Sequence, residues 1–432
     1  MKFFCHTLGC KSNFYETASL TSLLEQHGFS ETDSMESADI ILINSCTVTA
    51  QSDKKTRSAL NRARRVNPGS TVILTGCYVQ ANPSEAAGLE KADIIAGISE
   101  MSDLPDILKL YLINPERSVE ISPFQNGEPF RYVPVKSLKE HTRAFLKVED
   151  GCDRFCGYCA VPYARGPVRS LDPGKINLQA KLFAENGYKE VVLTGINLSL
   201  YGKESGFDLC DAVRAANVAG IERIRLSSLE PDLLSDELLK KLSDCRKLCG
   251  HFHLSLQSGC ERTLAAMNRR YSVSDYLNTA ERIKELFGNG VTFTTDVMVG
   301  FPSETDGDFY ESLRFVEDFG FLKCHVFRYS PRPNTAAASL IPLESSIVTA
   351  RAKHMTSAAD GVRKRILAGQ TGKTVRVIAE QQRATGEYEG FSDDYIPVVV
   401  SGGRIETGDM VTATVTGVKG DYCTADAITC DL

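Results

Sequence analysis

Cys152, Cys156 and Cys159 stand at i, i+4 and i+7 in the stretch Val148-Glu-Asp-Gly-Cys152-Asp-Arg-Phe-Cys156-Gly-Tyr-Cys159. Thiolates this close in sequence can hold one iron–sulfur cluster. A cubane cluster has four irons, so three thiolates leave one iron open to a ligand from outside the protein. Zinc fits the same residues in another way. It wants four ligands, and His141 or His6 can supply the last. Three buried thiols without metal are the third reading.

Cys10, Cys46 and Cys77 are 36 and 31 residues apart, yet each follows a strand pattern. Short apolar runs at 3–8, 38–44, 71–75 and 93–98 alternate with helical spacing over 13–27, 51–66 and 83–89. Gly28 and Asn67-Pro-Gly close the first two helices. The cysteines stand in Thr7-Leu-Gly-Cys-Lys, Asn44-Ser-Cys-Thr and Thr75-Gly-Cys-Tyr. Alternating strands and helices predict a parallel sheet, and ligands collect beyond the carboxyl ends of such strands. The three thiols are expected together at that edge, as a second site one ligand short for a cubane.

Residues 122–141 are rich in Pro and Gly, lack periodicity and read as a linker. From 142 to 368 strand patterns return at 144–148, 190–193, 223–227, 251–256, 292–299 and 323–329. Helical spacing lies between them, as at 174–186, 235–242, 273–287 and 305–319. Six βα units predict a partial barrel whose open side admits a large substrate. Polar residues recur where such barrels do their work, at the strand ends. They are Thr194, Gly195 and Asn197; Ser227 and Glu230; Gln257; and Asp296. Together they can hold one nucleoside cofactor.

Residues 369–432 change character. Alternating strands at 374–379, 396–400, 410–418 and 421–427, separated by glycine turns, predict a small antiparallel barrel. It holds five Lys and Arg against ten Asp and Glu, so any contact with RNA uses one face only.

The whole chain of 432 residues carries a net charge of −6, which excludes wholesale electrostatic binding of nucleic acid. A local basic patch exists on the helix after Cys46: Lys54, Lys55, Arg57, Arg62, Arg64 and Arg65, with no acid among residues 54–65. It is expected to contact phosphates. No run is apolar enough to span a membrane. The start, Met1-Lys-Phe-Phe-Cys5, runs into a strand pattern without the features of a signal peptide. A cytoplasmic protein is expected, with its fourteen cysteines reduced or bound to metal. Eight of them, Cys5, Cys210, Cys245, Cys249, Cys260, Cys324, Cys423 and Cys430, read as structural.

The C-x3-C-x2-C spacing, with Tyr158 before the last cysteine, resembles the radical S-adenosylmethionine (SAM) superfamily. From end to end the chain resembles the methylthiotransferases of that superfamily. The matching strings include Thr7-Leu-Gly-Cys-Lys, Ile43-Asn-Ser-Cys-Thr, Arg225-Leu-Ser-Ser-Leu-Glu-Pro231, His253-Leu-Ser-Leu-Gln-Ser-Gly259 and Gly300-Phe-Pro-Ser-Glu-Thr. Leu8-Gly-Cys-Lys and Tyr158…Pro162-Tyr-Ala-Arg-Gly166 look most like the MtaB branch. Arg328 and Asn334 stand where the family more often has Pro and Gly, and Ala160-Val161 replaces two isoleucines.

The resemblance implies an α/β N-terminal methylthiotransferase domain (1–121), the linker (122–141), a radical SAM domain (142–368) and a TRAM domain (369–432). It implies two [4Fe-4S] clusters, one on Cys152, Cys156 and Cys159 and one on Cys10, Cys46 and Cys77. These six cysteines would be the catalytic residues and the metal ligands. SAM would serve both as radical source and as methyl donor. Tyr158, Thr194, Gly195, Asn197, Ser227, Glu230, Gln257 and Asp296 would bind it. The implied substrate is threonylcarbamoyl-adenosine beside the tRNA anticodon, methylthiolated at C2. A reductase and a sulfur donor are implied partners. Sister branches act on isopentenyl-adenosine in tRNA or on an aspartate of a small-subunit ribosomal protein. An alternative of another class is a non-catalytic RNA adaptor with two zinc sites.

Overall fold

A computed structural model describes residues 1–139 and 141–428. Cys430 lies outside them. Its N-terminal sheet has six parallel strands, in the order Ser30–Glu31, Lys2–Thr7, Ile40–Ser45, Thr71–Gly76, Ile94–Ala96 and Ser118–Glu120. Two of these, 30–31 and 118–120, add to the four strands that the pattern predicts. Every residue of Ile40–Ser45 is buried, as befits a central parallel strand covered on both faces. Thr7 pairs with Asn44 and Asn44 with Thr75, so the three strands that precede the cysteines end level.

The middle of the chain forms an arc of parallel strands. Ala144–Lys147, Glu190–Thr194 and Arg223–Leu226 make one run. Ser228–Leu229, His251–Leu254, Thr292–Val299 and Lys323–Arg328 continue it. Strand 223–229 is broken at Ser227, which joins the two runs and keeps six positions in all. The segment 122–139 holds no regular element, yet it is packed. Val135 and Leu138 are buried in the core of the arc, and Gln179 bonds both backbone groups of Val135. Helix Ser345–Ala368 lies against the last strand and leads into the C-terminal module.

That module is a closed barrel of five strands, Thr374–Gln382, Tyr388–Ser392, Pro397–Ser401, Met410–Lys419 and Tyr422–Ala427. Strands 397–401 and 422–427 pair in parallel and the other neighbours are antiparallel. The reason is parity: an odd number of strands in a closed ring cannot alternate throughout. Its turn at 392–396 stops the floor of the arc, where the strands begin. Arg225 donates to the carbonyls of Ser392 and Asp393, and Arg223 to that of Phe391. Tyr395 stacks on His251 at 4.4 Å. Arg225, Arg223 and Arg143 overcome the penalty of burial and hold Glu190 at about 2. Among the described residues no helix is long and apolar enough to cross a membrane.

Candidate active site with two cysteine triads

Cys152, Cys156 and Cys159 line one cavity at the carboxyl ends of the arc. Tyr158, Asn197, Glu230, Gln257 and Asp296 line it too, as the sequence predicts for a cofactor site. Thr194, Gly195 and Ser227 do not. They build the floor beneath it: the Thr194 carbonyl accepts from Val148 N, and Ser227 Oγ accepts from Gly195 N at 3.3 Å. A strand end supplies both lining and support, and the spacing alone does not separate the two.

Several residues of the cavity escaped the sequence reading. Arg269 donates through Nη1 to Cys156 Sγ at 3.2 Å and lies 3.1 Å from Glu230. Arg154 is paired with Glu230 and Asp232. Asn197 Nδ2 donates to Glu230 Oε2 at 2.6 Å, which leaves the buried Asn197 Oδ1 without a donor. An unpartnered acceptor facing a cavity suits an amino or hydroxyl group of a bound nucleoside. Gln257 has φ +66, a strained conformation of the kind held at functional sites.

A hydrogen-bonded row leads from the barrel floor to this cavity. His251 Nε2 and His253 Nδ1 both lie 2.9 Å from Thr294 Oγ1, and His253 Nε2 lies 3.4 Å from Asp296. Burial holds the His251 pKa well below the usual value.

The second triad forms at the ends of the three level strands. Cys10 caps helix Lys11–Gln26, with Sγ 3.2 Å from Asn13 Oδ1. Asn13 also reaches Asn44 and the carbonyl of Ser45, beside Cys46. Cys77 opens helix Cys77–Ala81 after Gly76, whose φ is +97. A Cβ at Gly76 would meet backbone of Ser45 at 2.5 Å, so only glycine lets these strands close up here. Cys77 feels both Cys46 and Cys10 electrostatically.

Burial pushes the Cys77, Cys152 and Cys159 thiols up to about 12. Such thiols become thiolates only by binding metal, which takes their protons. No group of three or more His, Cys, Asp or Glu that could hold a single metal ion occurs among the described residues. A cubane makes a different demand, because each thiolate serves its own iron. His141 packs on the rings of Phe14 and Phe145, and lines another cavity. Neither fact favours zinc. Among the cysteines read as structural, Cys245 lies 3.9 Å from Cys210.

The basic helix is Ala50–Val66, capped by Thr49. Lys54, Lys55, Arg62 and Arg65 are exposed. Arg57 and Arg64 are not spare: Arg57 pairs with Glu85 at 3.0 Å, and Arg64 pairs with Asp93 and bonds the Lys91 and Ser70 carbonyls. The free patch is four cations rather than six, because two acids from later segments fold against it.

The radical SAM superfamily model matches residues 146–316, and the model described as uncharacterized protein family UPF0004 matches residues 2–97. The radical SAM methyltransferase TsrM from Kitasatospora setae shares the fold with a TM-score of 0.58 at 13% identity. The alignment covers 78% of this chain and 74% of that one. The chain is a radical SAM enzyme. "Threonylcarbamoyladenosine tRNA methylthiotransferase MtaB" of Aquifex aeolicus is 39% identical to it over 407 residues, which is 91% of this chain and 98% of the relative. "tRNA-2-methylthio-N(6)-dimethylallyladenosine synthase" of Pelotomaculum thermopropionicum is 33% identical over 424 residues, 95% of this chain and 94% of the relative. The chain thus belongs to the methylthiotransferases, among the MtaB-like members of that family.

Proposed function

We propose that this enzyme adds a methylthio group to C2 of N6-threonylcarbamoyladenosine beside the anticodon of tRNA. The observation that carries it is the pair of three-cysteine sites at neighbouring strand ends, with Arg165, just after Cys159, touching Cys77. Cys152, Cys156 and Cys159 would hold one [4Fe-4S] cluster and Cys10, Cys46 and Cys77 the other. Bound there, the clusters and SAM supply the radical and the methylated sulfur. The division at 1–121, 122–141, 142–368 and 369–432 puts one cluster in each of the first two domains.

The residues of the chain bind, orient and enclose. Asn197 Oδ1, Gln257 and Asp296 meet the polar groups of SAM, and Tyr158 closes one wall. Arg269 places positive charge on Cys156. The base has to reach a gap between two buried sites, which suits an unstacked nucleotide in a loop. Lys54, Lys55, Arg62 and Arg65 contact the phosphates of that loop. A reductase and a sulfur donor complete the cycle.

The test is anaerobic reconstitution followed by incubation with tRNA carrying either threonylcarbamoyl- or isopentenyl-adenosine. About eight irons per chain, SAM cleavage under reductant and methylthiolated threonylcarbamoyladenosine in the digest are expected. Methylthiolation of only the isopentenyl substrate would move the enzyme to the branch of its Pelotomaculum relative. Methylthiolation of a ribosomal aspartate alone would remove tRNA as substrate. Tight zinc without SAM cleavage would leave the non-catalytic adaptor.

A further inference from the structure

Glu16, Lys147, Asp150, Arg165 and Arg169 form a buried group between the two cysteine triads. Lys147 Nζ lies 2.5 Å from Glu16 Oε1 and 2.7 Å from Asp150 Oδ2. Arg165 donates through Nη2 to Glu16 Oε2 at 3.1 Å, and its Nη1 meets Glu16 and Asp150. Arg169 Nη2 donates to Asp150 Oδ2 at 3.1 Å. Three cations therefore face two carboxylates where little water reaches.

A buried charge without a counter-charge is costly, and this group wants one more negative charge. The remaining donor of Arg165 shows where it comes from. Nε points at Cys77 Sγ, 3.2 Å away. A doubly positive cubane core held by three thiolates carries one net negative charge, which is the charge that is missing. Arg165 also ends the short helix Val161–Arg165, which starts two residues beyond Cys159, and Ala164 of that helix packs beside Cys77. One element thus begins at the first triad and ends on the second.

We propose that Arg165 is a positioning residue that fixes the two triads relative to each other and, with its buried partners, sets the reduction potential of the cluster on Cys10, Cys46 and Cys77. This rests on the two-cluster reading above. A cation favours the more negative, reduced cluster, so the sign of the effect follows from the charge removed. Arg165→Gln takes away one positive charge and lowers the potential. Glu16→Gln takes away one negative charge from the same group and raises it. A residue that only packs would not produce shifts of opposite sign.

The full chain carrying Cys152→Ala, Cys156→Ala and Cys159→Ala serves as parent, since it keeps only the cluster in question. Its potential is read by reductive titration followed by electron paramagnetic resonance. Each substitution is expected to change the redox equilibrium about tenfold, about 59 mV for a one-electron couple. Arg165→Lys, which keeps the charge, is expected to restore most of the shift. If Arg165→Gln does not fold, Glu16→Gln decides alone: an upward shift supports the inference, and an unchanged potential overturns it. Shifts of the same sign, or none, in a parent with about four irons overturn the inference and leave the two-cluster reading standing. A parent that takes up no iron overturns both.

Discussion

Glu149 sits beneath the cofactor cavity as a fully buried acid. Its Oε2 accepts from the backbone N–H groups of Ile196 and Asn197 at 2.7 and 2.9 Å, while burial raises its pKa well above the usual value. A Cβ at Gly195 would lie 2.5 Å from that oxygen, so the loop rests directly on the carboxyl. Glu149→Gln keeps an acceptor of the same shape and should leave SAM affinity within about twofold. Glu149→Ala strands two buried N–H groups, at about 1–3 kcal/mol each, and should weaken SAM binding about tenfold or more by calorimetry. Equal affinities in the two variants would refute this role. At this scale the six cysteines were legible because spacing or strand ends announce them. The arginines that serve them were not. Arg165 is 88 residues from Cys77 and Arg269 is 113 from Cys156, and no local pattern carries such a pairing.

The basic helix shows how elements from different parts of the chain lock together. Arg332 Nη1 pairs with Asp53 at 2.7 Å, its Nη2 donates to Thr47 Oγ1 at 2.6 Å, and Ser330 Oγ accepts from Ala50 N. The loop after the last strand of the arc therefore clamps the loop after Cys46. Arg332→Ala would leave Asp53 buried without its partner, a loss of about 3–5 kcal/mol. A lower urea midpoint, with iron lost first from the N-terminal site, is the expected outcome. Iron loss from the other triad first would contradict it. The main parallel elements were legible from periodicity, since apolar runs and helical spacing are strong there. The edge strands 30–31 and 118–120 are too short to show a pattern. Helix 345–368 faces inward with Ala352, Met355, Ala359 and Val362, whose spacing is helical but whose small residues are interrupted by Arg351.

For the molecule as a whole, charge is arranged locally against an acidic total. Neutralising Lys54, Lys55, Arg62 and Arg65 together should reduce the salt dependence of tRNA binding, by up to about 3 in the log–log slope. An unchanged slope would mean that this face is only surface. Asp394 gives the module contact its own pH response. Burial and then the neighbouring Asp393 raise its pKa from 3.8 to about 6. A raised carboxyl stabilises the fold below its unfolded pKa and loses that contribution as pH climbs through the folded value. Between about pH 4 and 6 the wild type should therefore lose ground to Asp394→Asn, by about 3 kcal/mol at neutral pH. Melting temperatures that differ at pH 7.5 and coincide at pH 4 are expected; a gap of equal size at both would exclude titration of Asp394. The turn that carries Asp394 was not legible, since the sequence marks it as an ordinary loop and its partners lie in the arc.

That turn has a consequence for how the protein comes into being. Domains emerge from the ribosome in order and tend to fold as they appear. Here the stopper of the arc is made after the arc itself. Until residues 392–396 arrive, Glu190, Arg223, Arg225 and His251 stand open to water at the base of a half-built vessel. The base of the arc is therefore closed only after residues 392–396 have been translated, about 65 residues beyond its last strand.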